Sequence, residues 1–183
     1  MIFSFFRRDP RRVLIATLYE RVANASRVPG LYAALGIPDT LEGRFESLSL
    51  HMVLTLRALR HLPPPADDVA KDLTDAFFAD LDASLREMGA GDTVVPKRMK
   101  KLASSFYGRA RAYDVPLEGK DTAALAVALG RNACGNEAPA VPLARYALAA
   151  DHDLKGVDLA ALLDKGPVFP SPDAYAREES HDA

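Results

Sequence analysis

Residues 41–60 are the segment that most constrains how this chain folds. Apolar side chains recur there at the three- or four-residue spacing of one helical face, at Phe45, Leu48, Met52, Leu56 and Leu59. Leu50, Val53 and Leu54 cover much of a second face, so this helix is apolar nearly all round and must be buried. The remaining face carries small or weakly polar side chains, which permit close approach of another helix or a ligand, at Ser47, His51, Thr55 and Ala58.

The rest of the chain also has helical periodicity, and no segment shows the sustained alternation of a strand. Further helices are predicted at about 10–27, 66–88, 96–113, 122–133, 142–151 and 159–163. The sequence therefore predicts an all-α, single-domain bundle of about seven or eight helices around a buried central helix. Residues 9–165 are expected to form this domain, 1–8 a flexible or membrane-touching N-terminus, and 166–183 a Pro-rich acidic tail that is an arm or is disordered.

Length and composition indicate one globular domain in a reducing compartment. The chain has 183 residues, and no run approaches the roughly 18 consecutive apolar residues that a spanning helix requires. The single cysteine, Cys134, excludes an intramolecular disulfide framework. At the N-terminus the phenylalanines precede the arginines, which reverses the order of a signal peptide, and the segment either folds back on the core or dips into an anionic membrane surface. We therefore expect a cytoplasmic protein.

Charge is distributed unevenly along two successive helices. Residues 67–92 hold eight acids and two bases, whereas residues 97–111 hold six bases and no acid. Lys97, Lys100, Lys101 and Arg111 are predicted to lie opposite the core-facing side of the second helix. One interpretation is that the two helices are antiparallel neighbours whose exposed flanks attract each other weakly. The other is that the basic face binds ribosomal RNA or anionic lipid headgroups.

The sequence shows no arrangement of residues typical of catalysis or metal binding. No nucleophile motif or phosphate-binding glycine loop occurs, and the four histidines are isolated, so we expect no enzyme, cofactor or metal. His51 either makes a buried hydrogen bond to a carbonyl or carboxylate or faces a ligand. An enzymatic alternative would need His51 to converge with Asp80 or Asp82. Asp39 is predicted to cap the central helix and to pair with Arg44.

Two blocks of sequence resemble a known family. The first is Gly36-Ile37-Pro38-Asp39-Thr40-Leu41-Glu42-Gly43-Arg44-Phe45, followed by Leu50-His51 and Arg57. The second comprises 77–82, 85–89, 91–92, 95–100, 106–109 and Tyr113. Together they resemble the signature of ubiquinol–cytochrome c chaperones over roughly residues 19–133. The final fifty or so residues carry no part of the resemblance.

The resemblance implies a non-enzymatic chaperone that binds newly made cytochrome b and assists assembly of the cytochrome bc1 complex, peripheral to the inner membrane. It implies the ribosome and a small protein as further partners, the basic face adds an anionic membrane surface, and we expect no DNA partner. Such a chaperone needs an apolar groove between helices. The expected partner-binding residues are Asp39, Arg44, His51, Phe78, Asp82, Lys97, Arg98, Lys100, Lys101, Tyr107 and Arg111. The alternative is a lipid or apolar-ligand binding module with a basic face toward the membrane.

Overall fold

Eight α-helices and one short 3-10 helix make up residues 10–176, the part of the chain that the structure, a computed structural model, describes. The helices are α1 (Pro10–Ala25), α2 (Pro29–Ala33), α3 (Leu41–Arg60), α4 (Ala66–Glu87), α5 (Val95–Glu118), α6 (Thr122–Asn132), α7 (Val141–Lys155) and α8 (Leu159–Lys165), with a 3-10 helix at Pro172–Tyr175. No strand occurs within 10–176, and the predicted all-α bundle is confirmed. The predicted N-terminus 1–8, residue 9 and the end of the predicted tail, 177–183, lie outside the described residues.

Helix α3 lies at the centre of the bundle and packs against α1, α4, α5 and α7. Leu50, Leu54 and Leu59 are completely buried, as expected for a helix that is apolar nearly all round. Leu56 differs from the prediction because it is only partly buried. It lines a shallow hollow of about 300 Å³ whose lining, within the described residues, comes from α3 and α5 alone.

The small polar face of α3 is covered by a helix rather than left open to a ligand. His51 and Thr55 are completely buried, and helix α7 packs along α3, with Tyr146 contacting His51. The hydroxyl of Thr55 donates to the carbonyl of His51 at 2.8 Å, so its polar group is satisfied within α3 itself. Small side chains on this face therefore allow close approach of α7.

Residues 166–176 form an arm that packs across the bundle. The ring of Phe169 meets the edge of His51 at a centroid distance of 4.6 Å, and Tyr175 lies 5.9 Å from Tyr146. Pro172 is buried against Gly30, where a Cβ would come within 3.0 Å of the Pro172 Cβ. The domain boundary at 166 stays a prediction.

Candidate functional site

The loop before α3 fixes where that helix begins. The hydroxyl of Thr40, a residue in extended conformation, accepts a hydrogen bond from the Gly43 amide at 3.1 Å and so caps α3. The prediction that Asp39 caps this helix is wrong, because Thr40 occupies the position directly before the first helical residue. Asp39 instead accepts a hydrogen bond from Arg44 at 2.8 Å, the predicted ion pair, which raises the pKa of Arg44.

Gly43 is needed at its place by close packing. A Cβ there would collide with the carbonyl oxygen of Pro38, so the loop can fold back on the first turn of α3 only when residue 43 lacks a side chain. Ile37 on the same loop is buried in the core. The Gly36–Phe45 block therefore sets the position of the N-terminal half of α3, including the side chains of Leu41 and Phe45.

That half of α3 borders an apolar groove of about 390 Å³. The groove opens between α3 and α4 and touches the first half of α5 and the end of α1. Its apolar lining consists of Leu41, Phe45, Leu48, Leu81, Leu85, Met88 and Leu102. Leu41 is 60% exposed and Met88 is 51% exposed, so the groove presents apolar surface to solvent at both of these positions. We call it the α3/α4 groove.

Polar side chains stand at one end of the α3/α4 groove. Arg27 and Arg44 line it and also line a second hollow of about 490 Å³ next to it. Asp80 lines the groove as well, and the hydroxyl of Tyr19 donates to it at 2.8 Å. Burial, together with this hydrogen bond, raises the pKa of Tyr19, so the phenol remains a donor. The site thus combines an apolar wall with two guanidinium groups at its rim.

The candidate residues Phe78 and Tyr107 lie outside the wall of this groove. With Phe77 and Phe106 they form an aromatic cluster between α4 and α5, with ring centroids 4.9 to 6.0 Å apart. Phe78 is half-buried and packs against the core, and Tyr107 is 55% exposed. Tyr107 also lines the shallow hollow between α3 and α5.

Apart from Arg109, which pairs with Glu46, the basic side chains of α5 are exposed, and none of these joins an ion pair within residues 10–176. They are Lys97, Arg98, Lys100, Lys101 and Arg111, which we call the α5 basic face. Helices α4 and α5 are neighbours, as one interpretation expected. However, the acids at the end of α4 do not neutralise this face. The predicted site residue Asp82 pairs with Arg86 at 2.6 Å, and so does Asp92.

His51 is an internal histidine that faces other parts of the protein. Its Nδ1 lies 2.8 Å from the carbonyl of Ser47, which can only accept, so Nδ1 carries the proton and Nε2 accepts from Tyr146 at 2.7 Å. Burial lowers the pKa of His51 to about 4, so the ring is neutral near pH 7. Asp80 and Asp82 are held by other partners, and the arrangement that the enzymatic alternative required is not formed.

Sequence reasoning missed that α3 has two buried charged residues, Arg57 and Glu46, each held by ion pairs to other helices. Arg57 donates to Asp151 of α7 at 2.9 Å, to Glu118 of α5 at 3.0 Å, and also to Asp114. Burial disfavours the charge, but these carboxylates raise the pKa of Arg57 above its ordinary value. Glu46 accepts from Arg109 at 2.7 Å, and its pKa is raised by burial despite that partner. The available signal was a charged residue inside an otherwise apolar helix.

Residues 10–176 contain neither a candidate metal site nor a candidate membrane-spanning helix. No group of three or more His, Cys, Asp or Glu side chains there could hold a metal ion. No helix in that range is long and apolar enough to span a membrane.

Residues 33–169 match the family model described as ubiquinol-cytochrome C chaperone. The chain belongs to this family. The match reaches well beyond residue 133, where the resemblance of the two sequence blocks ended, and so includes α7 and the beginning of the arm. Membership makes the chain, in general terms, a chaperone in assembly of the cytochrome bc1 complex.

A solved structure described as the Cbp3 homolog from Brucella abortus resembles this family member closely. The two share 39% sequence identity and a TM-score of 0.80, over 94% of this chain and 98% of that one. The search of curated proteins found no match. Sequence and fold thus agree on the family along nearly the whole chain.

Proposed function

We propose that this chaperone binds newly made cytochrome b and assists assembly of the cytochrome bc1 complex at the surface of the inner membrane. It acts by binding rather than by catalysis. The observation that carries the proposal is the α3/α4 groove, a solvent-facing apolar surface on a member of the ubiquinol–cytochrome c chaperone family. Apolar surface of this kind on a protein otherwise rich in charge marks an interaction site.

The groove has the properties needed to hold part of a membrane protein before it inserts. Its walls are leucine, phenylalanine and methionine from three helices, and Met88 supplies a flexible side chain that adapts to different apolar partners. A transmembrane segment outside the bilayer must cover its apolar surface, and burial of that surface yields about 25 cal/mol per Å². We infer that the client contributes an apolar segment to the groove.

The rim supplies an orienting charge. Arg44 pairs with Asp39, whereas Arg27 is exposed and its guanidinium group joins no ion pair or hydrogen bond within residues 10–176. A guanidinium group at the end of an apolar groove favours a client segment that carries a carboxylate, or the C-terminal end of a helix, at that end.

The test is site-specific photo-crosslinking in native cells. A photoreactive phenylalanine analogue replaces Met88 in a tagged protein, and the adducts are identified by mass spectrometry after denaturing purification. The expected adduct contains cytochrome b. The matched control carries the same analogue at Val127, a 52% exposed position on α6, and should give no such adduct. Equal yields at the two positions, or no cytochrome b at Met88, would contradict the proposal.

The same experiment addresses a second candidate function, a binding module for lipid or another apolar ligand. The groove volume of about 390 Å³ is within the range of small-molecule sites, and the two rim arginines suit an anionic head group. A lipid adduct at Met88 in place of cytochrome b would favour this candidate. The ribosome and a small protein partner remain predictions from the family resemblance.

A further inference from the structure

We propose that the α5 basic face docks the protein on an anionic bilayer surface and turns the mouth of the α3/α4 groove toward that surface. The inference goes beyond the proposed function, because it concerns lipid headgroups and holds whether or not the client is cytochrome b. It rests on the charge, exposure and arrangement of side chains along α5.

The α5 basic face concentrates positive charge on one helix. The five basic side chains of this face lie within 15 residues of one helix, which is about 21 Å along its axis. All five are exposed, and no acid lies between Lys97 and Arg111. Because none joins an ion pair within residues 10–176, binding an anionic surface requires no existing pair to break. Each basic side chain close to an anionic bilayer raises binding about fivefold.

Exposed apolar side chains lie beside the α5 basic face. Tyr107 is 55% exposed, and Val94, just before α5, is 41% exposed. Met88, which directly follows α4, is 51% exposed. Tyrosine and aliphatic side chains flanked by lysine and arginine are typical of a surface that rests at the headgroup level of a bilayer. A surface for single-stranded nucleic acid would instead offer several aromatic rings for stacking, and Tyr107 is the one exposed aromatic side chain in residues 10–176.

The α3/α4 groove lies next to the α5 basic face. Leu102 lines the groove, and Arg98 lies one helical turn before it on the same side of α5. Lys101 directly precedes Leu102 in the sequence. Met88 lines the groove from α4 and is itself half exposed. The groove and the basic face therefore share an edge, and docking through α5 brings the groove mouth to the depth at which a transmembrane segment enters or leaves the bilayer.

The first test measures binding of the purified protein to vesicles by flotation. Vesicles of phosphatidylcholine alone are compared with an equal mixture of phosphatidylcholine and phosphatidylglycerol. We expect binding to the mixture and little to phosphatidylcholine alone. The variant Lys97→Glu, Lys100→Glu, Lys101→Glu should bind the mixture roughly a hundredfold more weakly, with unchanged helix content by circular dichroism.

A matched control distinguishes binding through the α5 basic face from an effect of the protein's net charge. The variant Lys71→Glu, Arg131→Glu, Lys165→Glu carries the same change in charge on exposed side chains of α4, α6 and α8. It should bind the mixed vesicles at least ten times more tightly than the α5 variant. Equal weakening in both variants would overturn the proposal, since binding would then depend on total charge.

A second readout tests the orientation. The chain contains no tryptophan, so Tyr107→Trp introduces a single fluorophore at the proposed contact. Its emission should shift to shorter wavelength with mixed vesicles, whereas that of Val127→Trp on α6 should not. If neither shifts, the orientation is wrong. Binding of polyuridylate through Lys97, Lys100 and Lys101, with no binding to either vesicle, would assign the face to RNA and overturn the proposal.

Discussion

Helix α3 has two sides that differ in how its surface is covered. Toward α7 the helix buries polar side chains, and His51 and Arg57 each meet a specific partner there, Tyr146 and Asp151. Toward α4 its first turns carry apolar side chains that line an open groove, with Leu41 60% exposed. The polar side is closed and the apolar side is open, which reverses the usual arrangement of a globular domain.

The closed side of α3 contributes mainly to the stability of the fold, whereas the open side is available for binding. Buried polar pairs are costly unless fully satisfied, so they specify one way of packing α7 on α3. An open apolar groove contributes little to folding, because its side chains remain partly in water, but it leaves free energy available for a client. Mutations on the two sides should therefore have different consequences.

The largest effect is expected from removing the guanidinium of Arg57. Arg57→Ala removes the buried partner of Asp151 and leaves that carboxylate only Lys155, at 3.1 Å and partly exposed, so the loss should approach that of a broken buried pair, about 3–5 kcal/mol. Urea denaturation followed by circular dichroism measures the loss. Arg60→Ala is the control, since Arg60 is 53% exposed in its pair with Asp114 and its removal should cost about 1 kcal/mol or less. Similar losses in the two variants would show that the buried Arg57–Asp151 pair stabilises the packing of α7 on α3 no more than an exposed pair does.

The next effect is a pH dependence on the α7 side. Burial lowers the pKa of His51 from 6.5 to about 4, so the unfolded chain binds its proton first as the pH falls. His51 therefore destabilises the fold progressively from about pH 6.5 down to about pH 4, by roughly 3 kcal/mol in total, with no further loss below. We expect the stability difference between wild type and His51→Gln, measured by urea denaturation, to change across this window. A difference that is the same at pH 7 and pH 4 would show that His51 is not buried as a neutral ring.

The outline of the fold was predictable from the sequence because it depends on local patterns. The all-round apolar character of residues 41–60 indicated a buried central helix, and prolines and glycines marked most helix ends. The cap of α3 was misassigned because Asp39 and Thr40 are both good capping residues, and only the backbone conformation distinguishes them.

The parts that could not be predicted depend on contacts between distant segments. Arg57 and Asp151 are 94 positions apart, and nothing in either local sequence indicates the other. The same holds for Phe169, which packs against His51 from a proline-rich segment that sequence composition equally allows to be disordered. The groove is also a product of packing, since its seven apolar residues come from three helices whose angles the sequence does not reveal.

The smallest effect concerns the loop that holds the groove side of α3. Thr40→Ala removes the hydrogen bond to the Gly43 amide and should cost about 1 kcal/mol, whereas Thr40→Ser keeps it and should behave like wild type. Asp39→Ala removes only an exposed ion pair and should cost less than Thr40→Ala, an order that would be reversed if Asp39 were the cap.

Amide hydrogen exchange locates where this loss acts. In Thr40→Ala we expect faster exchange in residues 41–46, next to the groove, and no change in residues 50–58, which α7 covers. Faster exchange along the whole of α3 would mean that the helix responds as one unit and that its two sides are energetically coupled. A confined response would instead mean that the groove wall can loosen around a client while the packing of α7 on α3 is retained.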